Sequence, residues 1–104
     1  MKKHEYPRLG ETLYEETLPN GLTVLVAVKP GFRKNAAYFV TRYGGADRRF
    51  KVNGEWIDTP AGVAHFLEHK MFDMPDGRNV LADFAALGAS PNAFTGSGRT
   101  AYYF

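Results

Sequence analysis

The amino-acid sequence predicts an α+β fold, a largely antiparallel sheet with helices packed on one face. Strand-like segments rich in apolar and β-branched residues occupy the first part of the chain and its last residues, and Gly- and Asn-containing turns separate them. Two segments between them carry apolar residues at helical spacing. Strands on either side of a pair of helices are typical of α+β domains, in which the helices cover a sheet.

The first predicted element is a β-hairpin over residues 13–28. Pro19, Asn20 and Gly21 separate its two arms, and an Asn-Gly pair supplies the positive φ angles of a tight turn. The second arm, residues 22–28, is almost entirely apolar. We therefore expect this strand to be covered on both faces.

Residues 36–43 predict a third strand, which ends at the glycine pair that follows it. Asn53 and Gly54 predict a smaller polar hairpin. The residues before the first hairpin are interpreted as a polar arm, in which His4 has no functional role.

A first helix is predicted over residues 60–72. Thr59 can accept a hydrogen bond from an amide of the first helical turn, and Pro60 loses no hydrogen bond at the first helical position. This helix carries the residues on which the functional prediction depends.

A second helix is predicted over residues 77–87, with Asp76 as its cap and Gly88 at its C-terminal end. Two further strands, residues 92–95 and 100–104, complete the predicted fold.

Composition narrows the possible functions. The chain has 104 residues, of which 44% are hydrophobic and 23% charged, as expected of one globular domain and unlike a disordered chain. It contains no cysteine, which excludes a disulfide scaffold, a thiol nucleophile and a cysteine-ligated zinc site. Any metal must therefore be bound by histidine and carboxylate side chains.

Charge and hydropathy exclude several kinds of partner. The net charge of +2 is too small and too dispersed to predict a nucleic-acid groove. No apolar stretch follows the basic residues at the N-terminus, so a secretory signal is not expected, and no segment approaches the length of a membrane span. We expect a cytoplasmic protein without membrane insertion.

The segment His65-Phe66-Leu67-Glu68-His69 carries the main chemical signal. At 3.6 residues per turn, His65 and His69 lie one above the other on a helix, and Glu68 lies on the same side. The simplest alternative is the hydrated face of an amphipathic helix. The residues around this face are Ala61, Ala64 and Phe72 rather than charged side chains, which argues against that alternative.

Imidazoles and a carboxylate in such surroundings need partners, and one divalent cation could serve all three. Two imidazoles at positions i and i+4 can bind one ion and leave room for a third protein ligand and a water molecule, as in catalytic zinc sites. Glu68 would then be placed to accept a proton from that water.

These residues identify a resemblance to the insulinase/pitrilysin metallopeptidases, or inverzincins, whose zinc motif is H-x-x-E-H. Three further segments resemble the family: its opening hairpin, its substrate-edge strand and the strand that follows, here Leu18-Pro19-Asn20-Gly21-Leu22, Ser90-Pro91-Asn92-Ala93-Phe94-Thr95 and Thr100-Ala101-Tyr102-Tyr103-Phe104. The segment between Gly45 and Thr59 is most similar to a bacterial cytoplasmic subgroup whose members often work in pairs.

The resemblance implies a role for each matching residue. His65 and His69 would be the first two ligands of one zinc ion, and Glu68 the general base that activates water for attack on a peptide carbonyl. Asn92 and Ala93 would lie on a sheet edge to which an extended peptide adds as a strand. From the residues alone, Asn92 after Pro91 is as easily a turn residue.

In the family, a glutamate on a later helix completes the zinc ligands, and substrate is enclosed between two half-shells. The chain ends 35 residues after His69, before that glutamate. We therefore expect residues 1–104 to be a truncated, partial N-terminal peptidase domain with an incomplete zinc site, inactive by itself. Its expected partners are a peptide or unfolded-protein substrate and a paired homologous subunit.

The sequence is compatible with two alternative interpretations. S-ribosylhomocysteine lyase shares the H-x-x-E-H helix, but it uses a cysteine as acid/base, and this chain has none. The second alternative is a catalytically silent zinc-binding or scaffold subunit that partners an active homologue. The intact His65, Glu68 and His69 weigh against it.

Overall fold

The structure is a computed structural model that describes all 104 residues. Eight strands and two helices form an α+β protein, and every strand pair is antiparallel, which confirms the predicted fold class. The strands divide into three separate sheets rather than one. The chain comprises two compact units, Met1–Asn35 and Ala36–Phe104, which are described in turn.

The first unit is a three-stranded sheet of β1 (Lys2–Tyr6), β2 (Glu11–Thr17) and β3 (Thr23–Ala27), in that order. The interpretation of the N-terminus as a polar arm is wrong, because β1 pairs with β2 along its whole length. In β1, polar side chains find partners across the sheet: His4 Nε2 lies 2.8 Å from Glu15 Oε2.

The β2–β3 connection is a three-residue loop rather than a two-residue Asn-Gly turn. Leu18 N donates to Leu22 O at 2.8 Å, and Gly21 N donates to Leu18 O at 2.8 Å. Of the turn residues, only Gly21 has a positive φ, 86°. This pattern is that of a type I turn followed by a left-handed residue.

The expectation that β3 is covered on both faces is wrong within this unit. Leu25 and Val26, on opposite faces of the strand, are both exposed. The unit contains three strands and no helix, so nothing in it packs over either face of the apolar strand.

The second unit contains a three-stranded sheet in the order β4 (Tyr38–Thr41), β8 (Thr100–Tyr103), β7 (Asn92–Thr95). The strand β4 is shorter than the predicted 36–43, although Ala37 still exchanges backbone hydrogen bonds with Phe104. The strands β7 and β8 lie within the predicted segments 92–95 and 100–104. The central position of β8 leaves one edge of β7 unpaired.

A separate two-stranded hairpin consists of β5 (Arg49–Val52) and β6 (Glu55–Asp58). Asn53 and Gly54 connect the strands with φ values of 51° and 87°, as a two-residue hairpin turn with positive φ at both positions requires.

Helix α1 spans Val63–Lys70, within the predicted 60–72, and its cap is Gly62 rather than Thr59. The Thr59 hydroxyl instead donates to Arg48 O at 3.2 Å, and Thr59 N donates to the same oxygen at 2.8 Å. Thr59 therefore extends the β5–β6 ladder. Gly62 has a φ of 91°, which redirects the chain into the helix.

Helix α2 spans Val80–Ala86, shorter than the predicted 77–87. Its cap is Asn79, whose Oδ1 accepts a hydrogen bond from Leu81 N at 2.9 Å. The prediction that Asp76 caps this helix is wrong, because that carboxylate bonds to Arg78 N and Nε within the preceding turn. Gly88 follows the helix with a positive φ, as predicted.

Helix α1 packs on the face of the β4–β8–β7 sheet that carries Tyr102, and α2 contacts Phe104, just beyond the end of β8. Phe72, just after α1, lies 5.9 Å from Tyr102 between ring centroids, and Phe84 of α2 lies 5.2 Å from Phe104. This arrangement brings α1 against β7 and β8. The longest helix has eight residues, and none has the length and apolar content needed to cross a bilayer.

Candidate metal centre

Helix α1 places two imidazoles and a carboxylate close together. The Nε2 atoms of His65 and His69 lie 3.0 Å apart, with ring centroids 4.8 Å apart. One ligand atom from each of His65, Glu68 and His69 lies within 4.8 Å of the others. The i, i+3, i+4 spacing produces this convergence within a single helix.

Glu68 differs from the two histidines in its burial. It is 8% exposed, whereas both imidazoles are exposed. No other charged side chain is buried. The buried side of α1 consists of Ala64 and Glu68, which face the sheet, while Phe66 and Leu67 are exposed. The Glu68 side chain is therefore buried between α1 and the sheet, whereas the two imidazoles lie at the exposed surface of the helix.

The partner of the buried carboxylate is Thr95, at the end of β7. The Thr95 hydroxyl donates a hydrogen bond to Glu68 Oε2. Thr95 was not among the predicted site residues, although the alternation of side chains along β7 offered a signal. Thr95 is two residues after Ala93 and therefore lies on the same face of the strand.

An open cleft of about 650 Å³ adjoins the cluster. His65 and Glu68 line one side, and residues 93–97 line another, together with Gly45 and Ala46. Backbone hydrogen bonds of 2.8 Å join Gly45 N to Gly96 O and Ala46 N to Ser97 O. The loop after β4 is thus fixed to the loop after β7, a contact that the sequence did not predict.

Asn92 and Ala93 lie on β7, at its unpaired edge. Gly96 N donates to Arg99 O at the end of the hairpin. Gly96 and Arg99 thus form a hydrogen-bonded pair. Hydrogen-bonded and non-bonded pairs alternate along an antiparallel ladder, so Thr95 and Ala93 are in non-bonded pairs and their backbone groups face away from β8. The Asn92 side-chain oxygen accepts a hydrogen bond from Ala93 N at 2.8 Å. The structure therefore places both residues on the edge strand, and of the two only Ala93 lines the cleft.

The charge of Glu68 also affects a neighbouring phenol. Burial raises the pKa of Tyr102 above its usual 10.0, and the negative charge of Glu68 raises it further. The charge of the Glu68 carboxylate thus reaches the phenol of Tyr102 on the neighbouring strand β8.

The donor set fits a zinc ion. Tetrahedral coordination at the usual Zn–N distances separates two nitrogen ligands by roughly 3.3 Å, close to the 3.0 Å observed between the imidazole Nε2 atoms. Neutral imidazole and carboxylate are ligands that zinc accepts. His4 is not part of this group, consistent with its pairing to Glu15 in the other unit.

Comparison with known proteins identifies similar chains. Residues 54–104 match the model of the insulinase family, peptidase family M16. An uncharacterized zinc protease of Bacillus subtilis, YmfH, is 52% identical over all of this chain and 24% of its own length. An uncharacterized zinc protease of Rickettsia bellii is 34% identical over 91% of this chain and 22% of its own.

A solved structure is also similar. The crystal structure of an M16-like peptidase from Alicyclobacillus acidocaldarius superposes with a TM-score of 0.84 at 44% identity, over 96% of this chain and 23% of that one. The chain therefore spans about a quarter of the length of these relatives.

Proposed function

The chain belongs to the insulinase family, peptidase family M16, and we propose that the complete protein that carries it is a zinc-dependent metallopeptidase. One observation carries the proposal. The two imidazole Nε2 atoms and the buried carboxylate of Glu68 converge on one side of α1, beside an open cleft. The relatives named as zinc proteases support the same activity.

His65 and His69 would hold the zinc ion. Zinc, when bound, lowers the pKa of a water molecule and polarises the peptide carbonyl. Glu68 accepts the proton of the attacking water and returns it to the leaving amine, as a general base and then a general acid. The burial of its carboxylate holds this group still between the two transfers.

The substrate would be an extended peptide or unfolded protein segment that pairs with β7. The outward-facing backbone groups of Ala93 and Thr95 support this proposal, because they are available to an additional strand. The Asn92 carboxamide, which now accepts from Ala93 N, would turn toward the peptide as that donor is taken.

The third zinc ligand would come from outside these 104 residues. The chain contributes one group of possible ligands, His65, Glu68 and His69, and Glu68 acts as the base. A catalytic zinc site needs three protein ligands and a position for water. We therefore expect the 104-residue chain alone to bind zinc weakly and to hydrolyse peptides poorly, so robust chelator-sensitive proteolysis by the purified chain would contradict this part of the proposal.

Substitution of Glu68 by glutamine in the complete protein tests the function. Glutamine keeps the size of the side chain but cannot accept a proton, so kcat on a quenched fluorescent peptide should fall by roughly 10²–10⁴-fold. Zinc content, measured by elemental analysis, should stay the same. The control is Glu55→Gln on the exposed strand β6, which should leave kcat unchanged.

The alternative of a silent subunit predicts a different result. A catalytically silent zinc-binding or scaffold subunit would bind zinc without cleaving the peptide before or after the substitution. Full cleavage by Glu68→Gln would show that another group is the general base.

A further inference from the structure

We infer that Thr95 is a positioning residue for the general base, and that its hydroxyl holds the Glu68 carboxylate in the orientation that proton transfer requires. The inference rests on the proposed function, since it assigns a role toward Glu68. It is carried by the hydrogen bond from Thr95 Oγ1 to Glu68 Oε2 and by the way each partner is fixed.

The Thr95 hydroxyl is the only group of the protein that donates a hydrogen bond to the Glu68 carboxylate. A buried carboxylate without a donor would be strongly destabilised. The bond occupies Oε2 and leaves Oε1 without a protein partner. Since no buried side-chain oxygen lacks a partner, Oε1 reaches solvent. One oxygen is thus held by the protein, and the other is free to exchange a proton.

Thr95 itself is held rigidly. It lies opposite Thr100 in the β7–β8 ladder, and Thr100 is 3% exposed and donates through Oγ1 to Tyr43 O at 2.9 Å. The residue after Thr95 accepts from Gly45 N at 2.8 Å. A β-branched side chain on a fixed strand has few accessible rotamers, so the hydroxyl defines a fixed point for the carboxylate.

A positioning role differs from a structural one in its effect on catalysis. If Thr95 only satisfied a buried charge, its loss would lower stability without changing the chemical step in the folded protein. If it orients Glu68, its loss should lower kcat while KM and zinc content remain the same, because the substrate edge and the imidazoles are unchanged.

The test replaces Thr95 in the zinc-loaded complete protein. Thr95→Val keeps the shape and removes the hydroxyl, and kcat should fall on the order of 10–100-fold, the factor expected from losing a hydrogen bond to a charged group. Thr95→Ser keeps the hydroxyl and should restore most of kcat. The control is Thr41→Val on β4, whose hydroxyl donates to Thr100 O at 3.4 Å, and it should retain the wild-type kcat.

A second readout does not depend on activity. In metal-free protein, the ¹³C chemical shift of the Glu68 side-chain carboxyl should change in Thr95→Val and stay close to wild type in Thr95→Ser. If Thr95→Val does not fold, Thr95→Ala provides the same comparison in both measurements.

The outcomes separate this inference from the proposed function. Wild-type kcat in Thr95→Val, alongside an inactive Glu68→Gln, would overturn the inference and leave the function standing. A change confined to KM or zinc content would also overturn it. Full activity in Glu68→Gln would instead overturn the proposed function.

Discussion

His65 and His69 direct their Nε2 atoms at each other across 3.0 Å from consecutive turns of α1. In neutral imidazoles, one nitrogen of this pair must donate a proton that the other accepts. A cation between them removes the need for that proton, since both nitrogens can then act as ligands. The spacing of the two nitrogens is thus close to the one that a shared ion requires.

Replacing either histidine by alanine in the complete protein should therefore abolish tight zinc binding. Zinc affinity should fall by more than the ~10–100-fold that follows removal of a group hydrogen-bonded to a ligand, because the ligand itself is lost. Zinc content and affinity can be measured by elemental analysis and competition with a chelating dye. His4→Ala is the matched control, and equal zinc loss in that variant would contradict the assignment of the site.

The edge of β7 leads to a second prediction, on substrate binding. Ala93→Pro removes the outward-facing N–H, a change that edge strands tolerate. If a peptide pairs with this donor, KM should rise about 2–10-fold, the equivalent of one backbone hydrogen bond, with zinc content unchanged. Ala93→Ser keeps the donor and should behave like the wild type. An unchanged KM in Ala93→Pro would mean that substrate does not pair with the edge at this residue.

The helix motif could be predicted from sequence because its geometry is local. The spacing of His65, Glu68 and His69 determines their relative positions once the segment is helical. The contact between Thr95 and Glu68 joins residues 27 positions apart, and it depends on how α1 lies against β7. The periodicity of the sequence does not indicate how α1 packs against β7.

Helix caps were mispredicted for a related reason. Thr59 is a good cap by residue type, but its hydroxyl and amide both bond to Arg48 O in the β5–β6 hairpin. The Asp76 carboxylate likewise accepts a hydrogen bond from the Arg78 side chain instead of capping the helix. Local propensity identifies candidates for a cap, and tertiary partners decide between them. The strand β1 was not predicted because its sequence consists mostly of charged residues, which are uncommon in strands, although it pairs with β2 along its whole length.

A third prediction concerns Gly44, where the two loops of the cleft meet. A Cβ added at Gly44 would lie 2.6 Å from Ser97 O and closer still to other backbone atoms of the β7–β8 hairpin. Backbone atoms cannot move aside as a flexible side chain can, so Gly44→Ala should destabilise the protein by ~1–3 kcal/mol. Chemical denaturation measures this change. Gly98→Ala is the control, because its added Cβ meets nothing within 4 Å, and equal stability of the two variants would contradict the close approach.

A fourth prediction links Glu68 to the titration of Tyr102. Burial is the larger cause of the raised pKa of Tyr102, and the negative charge of Glu68 adds to it by disfavouring the phenolate. In metal-free Glu68→Gln, the pKa of Tyr102 should therefore fall but stay above 10.0, because burial remains. NMR titration with ¹³C-labelled tyrosine measures the shift, and Glu55→Gln should leave it unchanged. An unaltered Tyr102 pKa in Glu68→Gln would mean that the charge of Glu68 does not reach the phenol.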